Sequence, residues 1–195
     1  MAELLLIRHG QTEWSRDGRH TGRTDVPLTG EGRQQAAALR GVLEARSLER
    51  IFTSPLARAT ETCRLAGQGE RAEPRDELLE WDYGEFEGAT TPEIREQHPG
   101  WLLWRDGCPG GESADQVSAR VDPLVEELRR LEGDAAIFAH GHVLRVLAAR
   151  WVGLSGADGS RLALATASVS TLGWERELPV VRLWNSQPAV RPEER

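Results

Sequence analysis

The sequence predicts an α/β domain built on a largely parallel sheet, and three observations carry that prediction. Leu4 to Ile7 and Ala135 to Ala139 are unbroken apolar runs, the pattern of short strands buried on both faces. Stretches with helical spacing and cap residues separate such runs. Polar, glycine-containing clusters follow the runs directly, where open α/β sheets bind ligands.

The elements follow in order. Leu4 to Ile7, ending at Arg8, is the first strand. Thr29 is suited to N-cap a helix running through Arg46, with Ala36, Leu39 and Leu43 on one face. Ile51-Phe52 is a second, short strand. Ser54 then reads as an N-cap with Pro55 at the first helical position, and the helix runs to about Leu65. Thr91-Pro92 repeats that pattern before a short helix. Ser113 to Gln116 is a capping box, followed by Val117, Val121, Leu124, Val125, Leu128 and Leu131 at helical spacing. Ala135 to Ala139 is the third strand, and a helix from about Val143 to Val152 comes next. Thr166 to Trp174 and Pro179 to Trp184 are two late strands. Residues 1–187 are expected to form a single domain, with 188–195 a frayed polar tail.

Composition narrows the function. With 195 residues, 39% hydrophobic and 28% charged, the chain is an ordinary globular domain. Its apolar runs are too short for a secretion signal or a membrane span, so a cytoplasmic location is expected, with no membrane partner. Cys63 and Cys108 form neither a disulfide framework nor a zinc pattern. All 24 basic residues are arginine, which excludes P-loop, Schiff-base, pyridoxal-phosphate and protein-kinase chemistry, each of which needs a lysine. The net charge of −7 argues against nucleic acid and leaves a small phosphorylated metabolite, bound at a locally positive site. A tryptophan-rich, partly apolar surface would be compatible with a homodimer.

Arg8-His9-Gly10 directly follows the first strand. Arginine offers a fixed fork of donors to phosphate oxygens, and a histidine ring nitrogen can attack phosphorus. Gly10 allows the backbone close to an anion. Ala139-His140-Gly141-His142 repeats the logic after the third strand, so two histidines can meet at neighbouring strand ends. His140 would then donate to the phosphate and hold transition-state charge. Arg58 falls in the first turn of the helix after Ser54-Pro55, where its charge adds to the positive end of the helix dipole. Glu80, beside Trp81-Asp82-Tyr83-Gly84, can protonate a leaving alkoxide and later deprotonate water, but Asp82, Glu85 and Glu87 are rivals for that role.

Together these pieces resemble the histidine phosphatase superfamily, also called phosphoglycerate-mutase-like. The matching segments are Arg8-His9-Gly10-Gln11-Thr12-Glu13-Trp14, Leu28-Thr29 through Gly32-Arg33, Ser54 to Ala59, Glu80 with Tyr83-Gly84 and Glu87-Gly88, and Ala139-His140-Gly141. The resemblance implies a three-layer α/β/α sandwich and a phosphatase of small-metabolite phosphomonoesters, sugar phosphates or similar. It implies His9 as the phosphorylated nucleophile, Arg8, Arg58 and His140 as the phosphate pocket, and Glu80 as the acid and base. No metal or cofactor is implied.

The superfamily also contains cofactor-dependent phosphoglycerate mutases, the alternative reading. Those chains are longer, cover the site, and continue after the glutamate with an arginine-histidine-tyrosine-glycine stretch. Here Trp81-Asp82-Tyr83-Gly84 follows Glu80, and less cover means more water at the intermediate, so hydrolysis is expected. Glu80 to Gly84, Trp104 to Cys108, and Ala139 to His142 with Arg145 are similar to sedoheptulose-bisphosphatase-like enzymes and actinobacterial acid phosphatases. That likeness implies Arg145 on a substrate's far phosphate, with Gln11, Thr21, Gly22, Tyr83 and His142 as further substrate contacts. Two other readings are a metal hydrolase using His9, His140, His142 and carboxylates, and a binding module without activity. The first lacks a third ligand at a characteristic spacing. The second sits poorly with an intact set of pocket residues.

Overall fold

The computed structural model describes residues 2–188, so the expected tail lies outside the described residues except for Pro188. β1 (Leu4–Arg8) leads into the one-turn helix α1 (Glu13–Arg16), then α2 (Gly30–Ala38) and α3 (Arg40–Glu44). β2 (Leu48–Thr53) precedes α4 (Ala57–Leu65) and the short β3 (Ala72–Pro74). α5 (Thr91–Gln97) and α6 (Leu103–Asp106) lie in a long connection before α7 (Ala114–Leu128). β4 (Asp134–Ala139), α8 (Gly141–Trp151), β5 (Val169–Glu175) and β6 (Leu178–Ser186) complete the fold.

The strands form one sheet in the order β3-β2-β4-β1-β5-β6. The first four in that order run parallel, while β5 and β6 are added antiparallel. Successive strand residues point to opposite faces, and here both faces are apolar. Leu4, Leu6, Ala135, Ile137 and Ala139 pack on one side with Val117, Val121 and Leu124 of α7 and Leu144, Leu147 and Trp151 of α8. Leu5, Ile7, Ala136 and Phe138 pack on the other with Leu39, Leu43 and Cys63. The result is the three-layer α/β/α sandwich with a mostly parallel sheet.

Several local expectations change. The helix expected from Thr29 to Arg46 breaks at Leu39, where Leu39 N–H donates to Ala36 and Val42 N–H to Leu39 in tighter three-residue turns. That turn sinks both Leu39 and Leu43 into the core. Ser54 does not cap a helix starting at Pro55. α4 starts at Ala57, whose N–H donates to the Asp25 carboxylate at 3.0 and 3.1 Å from another part of the chain. The cap of α5 is Thr90 rather than Thr91, completed by Glu93. α8 begins at Gly141, earlier than expected, because a distant carboxylate covers its first amides. β5 starts only at Val169, after a left-handed residue, Ala167, whose N–H donates to the carbonyls of Arg8 and His9.

Of the seven tryptophans behind the expected apolar surface, none is fully exposed. Trp81, Trp101 and Trp151 are buried, and Trp14, Trp104, Trp174 and Trp184 are half-buried. No described helix is long and apolar enough to cross a membrane.

Candidate active site

Strand register brings the site together. Arg8 on β1 pairs with Ala139 on β4, and Phe138 on β4 pairs with Thr53 on β2. The next residue of each strand, His9, His140 and Ser54, therefore leaves the sheet at the same end. His9 N–H donates to the Ala139 carbonyl at 2.9 Å, and Ser54 N–H to Phe138 at 2.8 Å. The rings of His9 and His140 lie 5.2 Å apart between centroids.

The neighbours of His9 fix its tautomer. Its Nδ1 lies 2.7 Å from the Gly10 carbonyl, which can only accept, so the proton sits on Nδ1 and the lone pair on Nε2. Burial, reinforced by the charges of Arg58 and Arg8, holds the ring well below the usual imidazole range. The ring is thus neutral and nucleophilic without help from a base. Gly10 has a different reason from the one the sequence suggested: a Cβ there would meet the Gly32 carbonyl oxygen of α2 at 2.3 Å. The glycine is needed for backbone packing behind the loop.

Arg58 is fully buried, and its donors are already committed. Nε donates to His140 Nδ1 at 3.0 Å, Nη1 to the Thr24 carbonyl at 2.9 Å, and Nη2 to Thr21 and Gly22 at 3.1 and 2.8 Å. His140 must therefore carry its proton on Nε2, which lies 2.7 Å from the Ser54 hydroxyl. Burial, then the charges of Arg58, His9 and Arg8, keep His140 well below the ordinary imidazole value. Arg8 donates to the Leu164 carbonyl, while its buried Nε has no partner among the described residues. Its guanidinium lies against Gly141, where a Cβ would come within 3.3 Å.

Glu80 is buried on the amide end of α8. Oε1 accepts from Trp81 at 2.9 Å and Val143 at 2.8 Å, and Oε2 accepts from His142 at 3.0 Å. Oε2 is left with a free lone pair. The rival carboxylates are engaged elsewhere. Asp82 accepts from Gly84, Glu87 accepts from Gly22 and Thr24, and Glu85 is exposed.

A cavity of about 180 Å³ is lined by Arg8, His9, Ser15, Gly18, Arg19, His20, Thr21, Glu80, Tyr83 and His142. Tyr83 and His142 share a hydrogen bond of 2.6 Å between the hydroxyl and Nδ1. His20, which sequence reasoning missed, packs its ring 4.7 Å from Tyr83 and edge-on to Trp101 at 5.6 Å. Burial draws it down to about 4. Its signal was its place directly before Thr21-Gly22, in a stretch with no periodic pattern. Ser54, read as a helix cap, was also missed, as were Ser15 and Arg19 in the cavity lining.

The remaining expected substrate contacts are arranged differently. Thr21 lines the cavity, but Gly22 serves through its backbone, giving its carbonyl to Arg58 and its N–H to Glu87 at 2.9 Å. A side chain at Gly22 would meet the Glu87 carboxylate at 2.6 Å and the Trp81 carbonyl at 2.7 Å. Gln11 is turned away: its side-chain oxygen accepts from Thr29 at 2.9 Å and its NH₂ donates to Glu31 at 3.2 Å. Arg145 donates to the carbonyls of Gly159 and Ser160 and lies 4.5 Å above the Trp104 ring, outside the cavity lining. His140 caps α8 and His142 lies in its first turn. Among the described residues no group of three or more His, Cys, Asp or Glu is arranged to hold a metal ion.

Two strand-end histidines, a buried and a half-buried arginine and a carboxylate around one small cavity suit attack on a phosphate ester. The family model for the histidine phosphatase superfamily (branch 1) matches residues 4–187. The chain belongs to that superfamily. An acid phosphatase of Mycobacterium tuberculosis is 46% identical over 187 residues, covering 92% of each chain. Sedoheptulose 1,7-bisphosphatase of Saccharomyces cerevisiae is 40% identical over 183 residues, covering 77% of this chain and 67% of that one. A solved structure from Mycobacterium tuberculosis superposes with a TM-score of 0.91 at 42% identity, over 96% of this chain and 99% of the other. This histidine phosphatase is a phosphoric monoester hydrolase.

Proposed function

We propose that His9 takes the phosphoryl group from a small phosphorylated metabolite and passes it to water. The observation that carries the reading is the pair His9 and His140, 5.2 Å apart, with His9 held neutral and its lone pair on Nε2. Nε2 attacks phosphorus and the ester P–O bond breaks. Glu80 gives the leaving alkoxide its proton from Oε2, the carboxyl oxygen with the free lone pair. Glu80 then takes a proton from water as that water attacks phosphorus. The P–Nε2 bond breaks and inorganic phosphate leaves. Arg8, with an unpaired buried donor, takes the phosphate oxygens, joined by the Nε2–H of His140 as it exchanges the Ser54 hydroxyl for the phosphate.

The leaving-group side of the cavity offers hydroxyl and imidazole groups, from Ser15, His20, Thr21, Tyr83 and His142. Such a wall suits a hydroxylated carbon chain, and a phosphorylated sugar is the substrate class that fits both wall and volume. The sugar-bisphosphatase among its relatives favours the same class. Phosphorylated sugars as substrates fit a cytoplasmic setting. The test is rapid acid-free quenching with radiolabelled substrate, followed by a panel of sugar phosphates. Acid-labile label on the wild type and none on His9→Ala is the expected result. Full turnover by His9→Ala would refute the mechanism. Interconversion of phosphoglycerates faster than their hydrolysis would refute the phosphatase reading.

A further inference from the structure

We propose that Arg120 and Glu112 form a positioning pair that holds Glu80 in register with the leaving group; this rests on Glu80 being the proton donor. The segment that carries Glu80 has little structure of its own. A single 3₁₀ turn, Asp76–Leu78, ends two residues before it, and another begins only at Gly84. A proton donor must nevertheless be held within about 0.5 Å of its working position. Something outside the segment has to hold it.

Arg120, projecting from α7, does so through the backbone. Nη1 donates to the carbonyls of Glu77 at 2.8 Å and Leu79 at 2.9 Å, and Nη2 reaches the carbonyl of Glu80 itself at 3.5 Å. The same guanidinium grips Glu112 on both oxygens, at 2.8 and 2.9 Å. Such a planar two-point pairing fixes orientation as well as distance. Glu112 closes the clamp from the other end. Its Oε2 accepts from Asp82 N–H at 2.8 Å, its carbonyl from Trp81 Nε1 at 2.8 Å, and its N–H donates to the Asp82 carbonyl at 2.8 Å. The backbones of Glu77, Leu79, Glu80 and Asp82 are thereby tied to one ion pair, while the Glu80 carboxylate is tied to the amides of α8. Neither Arg120 nor Glu112 lines the cavity, so the pair touches no substrate and acts through the segment it holds.

Leaving-group dependence separates this role from general structural support. Nitrophenolate departs without a proton, whereas the alkoxide of glycerol phosphate needs one. Phosphoenzyme formation is measured by rapid quench with both substrates, for wild type, Arg120→Lys, Glu112→Gln and Glu80→Gln. Lysine keeps the charge but cannot span three carbonyls and a carboxylate. Arg120→Lys is expected to slow phosphorylation by glycerol phosphate by ~10-fold or more and by p-nitrophenyl phosphate by less than ~2-fold, the scale of a small misplacement. Vanadate affinity, a probe of the phosphate pocket, should stay at the wild-type value, and Arg120→Lys placed on Glu80→Gln should add no further loss. Equal losses with both substrates in Arg120→Lys and Glu112→Gln would overturn the proposal, as would no loss with either. If Glu80→Gln itself shows no leaving-group dependence, the proton-donor reading fails and the clamp's purpose with it.

Discussion

Lowering the pH from about 7.5 to about 5 should remove a large part of this protein's folding free energy, through four imidazoles. His9, His140 and His142 are held well below the usual value, in each case first by burial. The charges of Arg58 and Arg8 add to this for His9 and His140, and that of Arg145 for His142. Burial brings His20 down to about 4. In the unfolded chain each would titrate near 6.5. As pH falls below that value the unfolded state binds protons that the folded state refuses, so stability falls with pH. The loss for each group continues until its own folded-state value is reached.

The size follows directly. At pH 5 the medium is about 1.5 units below the unfolded value, and each unit is worth about 1.4 kcal/mol. Each imidazole then contributes a loss of up to about 2 kcal/mol, and the four together up to about 8 kcal/mol. Domains of this kind are stable by roughly 5–15 kcal/mol, so the protein should be measurably less stable at pH 5 than at pH 7.5. The carboxylates do not blur the window. Asp106, held to about 2 first by Arg105, loses its contribution only as pH falls below the ordinary carboxylate range. Urea unfolding followed by circular dichroism at several pH values measures the slope, and His20→Asn should reduce it by about a quarter. A free energy unchanged between pH 7.5 and pH 5 would refute the protonation states assigned to the site.

Four further outcomes are expected. Glu80→Gln should cut turnover of alkyl phosphates by ~100-fold or more in steady-state assays, and a near-normal rate would move the acid role elsewhere. Gly10→Ala, with its Cβ 2.3 Å from the Gly32 carbonyl oxygen, should destabilise by about 3 kcal/mol, or ~6–12 °C in thermal unfolding. Gly41→Ala in α3, where a Cβ meets nothing within 4 Å, should stabilise by about 0.5–1 kcal/mol in the same assay. Arg58→Lys should weaken vanadate binding by ~10-fold or more in calorimetric titration, because one ammonium cannot bridge His140 and three carbonyls.

The two strand-end histidines were legible because each follows an apolar run that only a buried strand explains. The sandwich was legible for the same reason: both faces of β1 and β4 are apolar, so both must be covered. What chooses Glu80 among four acidic neighbours is not local. It is the amide end of α8, 62 and 63 positions later, and nothing in Glu80-Trp81-Asp82 announces that partner. Ser54 was misread for a related reason. Ser-Pro is a strong capping signal, but Asp25 supplies the cap from across the fold and frees Ser54 for His140. β3 was not visible at all, since Ala72-Glu73-Pro74 is an edge strand with no apolar pattern.

Arg8 and Arg58, paired by sequence as equal phosphate ligands, are prepared in opposite ways. A buried guanidinium is tolerated only with acceptors around it. For Arg58 the carbonyls of Thr21, Gly22 and Thr24 provide them. That loop is held in turn by Glu87 on the amides of Gly22 and Thr24, and by Asp25 on the first amide of α4. Arg58 is therefore fixed, with its charge in place, before any anion arrives. It orients His140 through Nε, and its field adds to burial in keeping His9 neutral. Arg8 is left with an unpaired buried Nε close to His9, a group whose desolvation is compensated only when an acceptor comes. The fixed arginine orients His140 and adds its field to burial at both histidines, and the unsatisfied one would give an anion a donor beside His9, as the proposed mechanism requires.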